Sequence, residues 1–218
     1  LAYVPRPSHV NDALQRADVP IVFLGLSESW GDSVGPRDTE GGRLATDHLA
    51  ELGHRRIAYV RTPLVERSGD RARYSGYRAA MARRGLSALP AHVWDPGSDV
   101  MTIARRPVAL EQAISGPGAP TALFASNDIG AIALIEACET AGLSVPADVS
   151  VVGFDDIALA GLHRISLTTV AQPLHFQAER AVSLLLERIE NPSIPPRHVR
   201  VPVQLRVRDS TIAASSRP

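Results

Sequence analysis

Short apolar runs alternate along this chain with longer amphipathic stretches. Four runs are continuous and rich in branched residues: Pro20–Leu24, Arg56–Val60, Thr121–Ala125 and Val149–Phe154. Continuous runs of this length predict strands covered on both faces, as in a parallel sheet. The stretches between them repeat at helical spacing. Residues 39–52 put Leu44, Ala45, His48, Leu49 and Leu52 on one stripe, with Asp38 or Thr39 as N-cap and Gly53 as the stop. Residues 71–84 predict a helix stopped at Gly85, and residues 127–141 one stopped at Gly142. Residues 107–115 predict a further helix with Pro107 in its first turn. A long helix is expected over 173–190 and is broken by Asn191-Pro192. After it, Val199, Val201, Val203, Leu205 and Val207 alternate strictly, which predicts a half-exposed strand.

Strand, helix and strand at this spacing imply right-handed βαβ units and a parallel sheet. Ligands in such sheets bind at the carboxyl ends of the strands. The polar residues just past each apolar run are therefore the site candidates: Gly25–Ser29, Arg61–Arg73, Ser126–Asp128 and Asp155–Asp156.

Composition narrows the picture. With 218 residues, 44% hydrophobic, the chain can bury one large core or two small ones. Its 23 basic residues, all arginine, balance 23 acidic ones. That balance argues against unaided nucleic-acid binding, which usually needs a positive excess. The all-arginine usage reads as coding bias. The single cysteine, Cys138, lies on an apolar helical stripe and reads as a buried thiol, consistent with a cytoplasmic location. No apolar run is long enough for a membrane-spanning helix, and the opening residues resemble neither a signal peptide nor a natural start.

Motifs for covalent chemistry are weak. Gly25-Leu26-Ser27-Glu28-Ser29 follows a strand but lacks the second glycine of a nucleophile elbow. The histidines lack metal-ligand spacing, and His48 and His54 read as surface or capping residues at a helix end. Asp155-Asp156 is a candidate acid and base pair for a hydrolase. Without a nucleophile or metal partner, ligand hydrogen bonding plus helix capping is the favoured reading. No enzyme activity, cofactor or metal is expected.

Five stretches carry a family resemblance, in order and in register. They are Asp38–Leu49 running into Leu52-Gly53-His54-Arg55-Arg56-Ile57-Ala58; Arg73-Tyr74-Ser75-Gly76-Tyr77-Arg78-Ala79-Ala80; Pro120–Asp128; Val145–Asp156 followed by Leu167–Pro173; and Leu205–Thr211. Together they resemble the LacI/GalR-type bacterial transcription regulators over nearly the whole chain. The resemblance implies an α/β fold like that of periplasmic binding proteins, with two doubly wound lobes around a ligand cleft. Residues 1–39 and 170–202 would form an incomplete N-terminal lobe, and 40–169 with 203–218 the C-terminal lobe. A helix-turn-helix DNA-binding domain would lie outside this chain.

By the same resemblance, Arg73, Asn127 and Asp155 would hold a small-molecule effector, a sugar or related metabolite. Phe154 would pack beneath them, and Leu174, Met101 and Trp94 would supply apolar walls. Gly25 departs from the acidic or amide residue that sugar-binding members often carry there. The expected partners are operator DNA, reached through the missing domain, and a second copy of the chain. Helix faces in 40–52, 127–141 and 173–190 would form that dimer. Effector binding would shift the population between two lobe arrangements. A periplasmic sugar-binding protein of a transport system is the alternative with the same lobes.

Overall fold

The computed structural model describes residues 8–17, 19–25, 28–61, 68–89, 92–93 and 118–214. The helix expected over 107–115 lies outside them, as do Trp94 and Met101. The chain splits into two compact units. One comprises Leu1–Arg37, Arg67–Gly69 and Pro173–Pro202; the other comprises Asp38–Glu66, Asp70–Gln172 and Val203–Pro218. Residues 170–172 fall in the second unit, so the chain leaves it at Pro173.

The second unit is built on a six-stranded sheet. Its strands in chain order are β3 (Ile57–Arg61), β4 (His92–Val93), β5 (Ala122–Ala125), β6 (Ser150–Asp155), β7 (Thr168–Ala171) and β9 (Gln204–Arg206). In space they run β4-β3-β5-β6-β7-β9, parallel except for the antiparallel β9. Three helices belong to this unit: α2 (Asp38–Glu51), α3 (Ser68–Arg83), whose first two residues cluster with the other unit, and α4 (Asp128–Thr140).

The continuous apolar runs are explained by what each face meets. Ala58, Val60, Leu123 and Val151 pack toward Ala131, Leu134 and Cys138 of α4. Their alternates Ile57, Tyr59, Phe124 and Val152 pack toward Ala45 and Leu49 of α2 and Tyr77 and Met81 of α3. Neither face keeps a polar row, because neither meets water. The predicted helix stops also hold: Gly53, Gly85 and Gly142 take φ of 92°, 65° and 81°, a region open to glycine without steric cost.

The first unit has a three-stranded parallel sheet in the order β1 (Val22–Leu24), β2 (Asp32–Pro36), β8 (His198–Val201). Helix α1 (Ser8–Arg16) precedes it, and α5 (Leu174–Glu190) packs Ala181 and Leu184 against Val22, Val34 and Val201. One feature here has no counterpart in the apolar pattern, and another differs from expectation. Strand β2, Asp32-Ser33-Val34-Gly35-Pro36, is wholly buried although no continuous apolar run marks it. The alternation from Val199 to Val207 is two strands, not one. Pro202 separates β8 in the first unit from β9 in the second, and Val207, at 61% exposure, lies past the end of β9. Proline has no N–H to continue a ladder, so the break falls where the backbone already lacks a donor.

His54 is also placed differently from its surface or capping reading. It is buried; Nδ1 lies 2.9 Å from Thr121 Oγ1, and Nε2 lies 3.1 Å from both Ser150 Oγ and the Ile212 carbonyl. His48 Nε2 similarly meets Thr211 Oγ1 at 3.0 Å. The two imidazoles thus fasten the 211–212 tail, His48 to α2 and His54 to the start of β6.

Burial holds the His54 pKa below its ordinary 6.5, against the raising effect of the Ile212 carbonyl. A histidine depressed in the folded state stabilises fully above its unfolded pKa. That contribution is lost as pH falls from there toward the folded value. The denaturation midpoint should therefore drop more for the wild type than for His54→Gln between about pH 7.5 and about pH 5.5. Equal slopes for the two proteins would refute this account of the tail.

Candidate functional site

Arg73 is placed by a close helix crossing. A Cβ on Gly42 of α2 would lie 2.1 Å from the Arg73 carbonyl oxygen, and one on Gly76 of α3 would lie 2.1 Å from the Thr39 carbonyl oxygen. Only hydrogen at both positions lets the backbones touch. The crossing sets Arg73 beside the start of α2, where its Nε donates to Asp38 Oδ1 at 2.8 Å. Its Nη1 donates to the Ser126 carbonyl at 2.5 Å, at the carboxyl end of β5, and lies 3.7 Å from Asp155 Oδ1, at the carboxyl end of β6. The guanidinium carbon lies 3.6 Å from the centroid of the Phe154 ring, which is fully buried. A cation over a desolvated ring face is an attractive contact.

Asn127 follows Ser126 and caps α4: its Oδ1 accepts from the Gly130 N–H at 2.7 Å, with extended backbone at φ −157°. Asp155 takes φ 126° and Asp156 φ 57°. Both values are uncommon for side-chain-bearing residues, and such conformations concentrate at functional sites. Gln172 Nε2 donates to Asp155 Oδ1 at 2.5 Å, and Arg208 Nη2 donates to Asp156 Oδ1 at 2.6 Å. Arg61, ending β3, pairs through Nε with Asp70 Oδ2 at 2.5 Å, and Asp70 Oδ1 also accepts from the Tyr59 hydroxyl.

Arg73, Asp155 and the Ser126-Asn127 strand end thus meet at the carboxyl end of β5 and β6 in the six-stranded sheet, with Phe154 as the floor under Arg73. Leu174 belongs to the other unit, where it opens α5 and is 57% exposed. Sequence reading passed over Asp38 as an arginine partner and Gln172 as a carboxylate partner. Both lie inside the resembling stretches, yet nothing in their spacing shows that they converge. Among the described residues, no cluster of metal-ligating side chains occurs, and no helix is long and apolar enough to cross a membrane.

In parallel α/β sheets, polar side chains gathered at the carboxyl ends of the strands are the usual setting for a ligand site. Residues 46–211 match the model of the periplasmic binding protein-like domain, and the chain belongs to that family, in its LacI-type branch. It is 35% identical over 191 residues to the ribose operon repressor of Escherichia coli strain K12, covering 84% of this chain and 55% of that protein. It is 32% identical to the HTH-type transcriptional repressor PurR of Aliivibrio salmonicida, covering 81% of this chain and 53% of that one. Among solved structures it is similar to a LacI family transcriptional regulator from Enterococcus faecium with bound ribose. There the TM-score is 0.79 at 30% identity, over 97% of this chain and 77% of that one. The chain spans about half the length of the curated relatives it matches.

Proposed function

We propose that this chain is the effector-binding and dimerisation core of a transcription regulator, a repressor, working in the cytoplasm. It binds a sugar or related metabolite without turning it over. Binding shifts the population of core conformations, and with it the grip of DNA-reading domains outside this chain on an operator. The observation that carries the reading is the Arg73 constellation: a guanidinium fixed on Phe154 and oriented by Asp38, beside Asp155 and the Asn127 strand end. Such a group can present parallel N–H donors to ligand hydroxyls, while Asp155 accepts hydrogen bonds and Asn127 offers both kinds. Similarity to two named repressors and to a ribose-bound regulator supports the same reading.

The test is a thermal-shift and calorimetric screen of the full-length protein against sugars, polyols, purines and small acids, D-ribose included. A true effector at about 100 times its Kd adds roughly 2.7 kcal/mol of stability. Arg73→Gln should weaken that effector about 10- to 100-fold, as expected for losing a charged hydrogen-bond donor. Binding that is indifferent to Arg73→Gln, or release of a chemically altered ligand, would overturn the proposal.

A further inference from the structure

The buried carboxyl of Asp128 is not accounted for by the site as described. It is the first residue of α4 and has no exposed surface. Oδ1 accepts from Thr169 Oγ1 of β7 at 2.5 Å, and Oδ2 accepts from the Ile157 backbone N–H at 2.9 Å. On β6, a Cβ at Gly153 would lie 2.3 Å from Oδ1, so that strand gives up a side chain to admit the carboxyl. Ile157 is the exit of the reversal in which Asp155 and Asp156 take positive φ. Asp128 therefore holds the exit, Gln172 and Arg73 hold the Asp155 carboxylate, and Arg208 holds that of Asp156. Strained backbone persists only where its surroundings over-determine it.

We infer that Asp128 is a positioning residue for the effector site, clamping the Asp155–Ile157 reversal so that the Asp155 carboxylate is presented to ligand, and that effector binding draws a proton onto Asp128. The inference rests on the reading of Asp155 as an effector contact. Burial raises the Asp128 pKa to about 6, against the lowering hydrogen bonds from Thr169 and Ile157. The charged groups acting on it are Asp155 and Asp156, both of which raise it further. A ligand over Asp155 excludes water and strengthens the repulsion between two nearby carboxylates. The neutral Asp128 relieves that repulsion, with the proton supplied by bulk water. Effector affinity therefore rises as pH falls through the Asp128 titration.

Asparagine tests the clamp because it mimics the protonated acid. Its oxygen can accept from Ile157, and its amide can donate to Thr169. Three readouts on the full-length protein decide the matter. By amide exchange, Asp128→Ala should expose Ile157 about tenfold while Asp128→Asn keeps most of its protection. By carboxyl NMR, Asp155→Asn should lower the Asp128 midpoint. By calorimetry with D-ribose as probe, the wild type should bind more tightly at the lower of two pH values bracketing that midpoint, and Asp128→Asn should bind equally at both. Equal exposure of Ile157 in the two Asp128 variants would overturn the clamp, as would an Asp128 midpoint indifferent to Asp155→Asn. A ribose affinity that varies with pH to the same extent in wild type and Asp128→Asn would overturn the proton linkage. If D-ribose does not bind at all, ribose is excluded as the effector, and the exchange and NMR results still decide the clamp.

Discussion

Gly76→Ala, and equally Gly42→Ala, should destabilise the six-stranded unit by about 2–4 kcal/mol, toward the upper end of single-substitution effects. Two effects compete. Alanine inside a helix is worth roughly 1 kcal/mol over glycine in propensity. Against that, the new methyl would stand 2.1 Å from a backbone carbonyl oxygen of the facing helix: Thr39 for Gly76, Arg73 for Gly42. Backbone cannot swing aside as a flexible side chain can, so the helices must separate. Separation also lengthens the Arg73–Asp38 contact, now 2.8 Å, so effector affinity falls together with stability. Ser75→Ala, at the exposed neighbouring position, should stay within about 0.5 kcal/mol of wild type. Chemical denaturation of the three variants checks the claim. A Gly76→Ala protein as stable as wild type would mean that propensity prevails and that the crossing is looser than described.

Asp32→Ala should cost the first unit about 3–5 kcal/mol, the range for stripping one partner from a buried ion pair. Asp32 is fully buried in β2. Arg188 of α5 grips both of its oxygens, through Nε and Nη2 at 2.9 Å each, and the Arg197 N–H donates to Oδ1 at 2.7 Å. Arg188 also donates to the carbonyls of Pro192, Ile194 and Pro195, so one carboxylate organises the helix end, the turn and the entry to β8.

The balance of forces on Asp32 can be read from its acidity. Burial pushes its pKa up, yet the hydrogen bonds from Arg188 and Arg197 outweigh burial and hold it below 3.8. A carboxylate depressed in the folded state stabilises above its unfolded pKa, and that contribution is lost as pH falls through the folded value. Asp32→Asn keeps the shape but not the charge and should lie between wild type and alanine. Trp30, edge-on to Phe23 at 5.0 Å in the same unit, reports the transition by fluorescence. A shift under about 1 kcal/mol for Asp32→Ala would show that the arginines find other partners.

The candidate site was legible where chemistry and position coincide. Arg73, Asn127 and Asp155 follow from polar residues placed after apolar runs, within stretches that resemble a known family. Asp38 and Gln172 were not legible as site partners, and Asp128, though inside a candidate range, was not legible as a hold on Ile157, because a carboxylate or amide in a motif looks alike whether it faces solvent, a ligand or a buried N–H. The same holds for His54, whose partners Thr121, Ser150 and Ile212 lie far along the chain.

Sequence alone determined the elements whose burial is set locally. Runs such as Ile57–Val60 must be covered on both faces, and glycines at 53, 85 and 142 must end the helices before them. Only the tertiary structure decided that Asp32–Pro36 is a strand, since a segment without an apolar run is held extended by the strands on either side, here β1 and β8. It also decided that one alternating run serves two sheets, because alternation records which side chains are covered and not which strand lies alongside. The physical division is between properties carried by a residue and its near neighbours and those set by partners brought in from elsewhere in the chain.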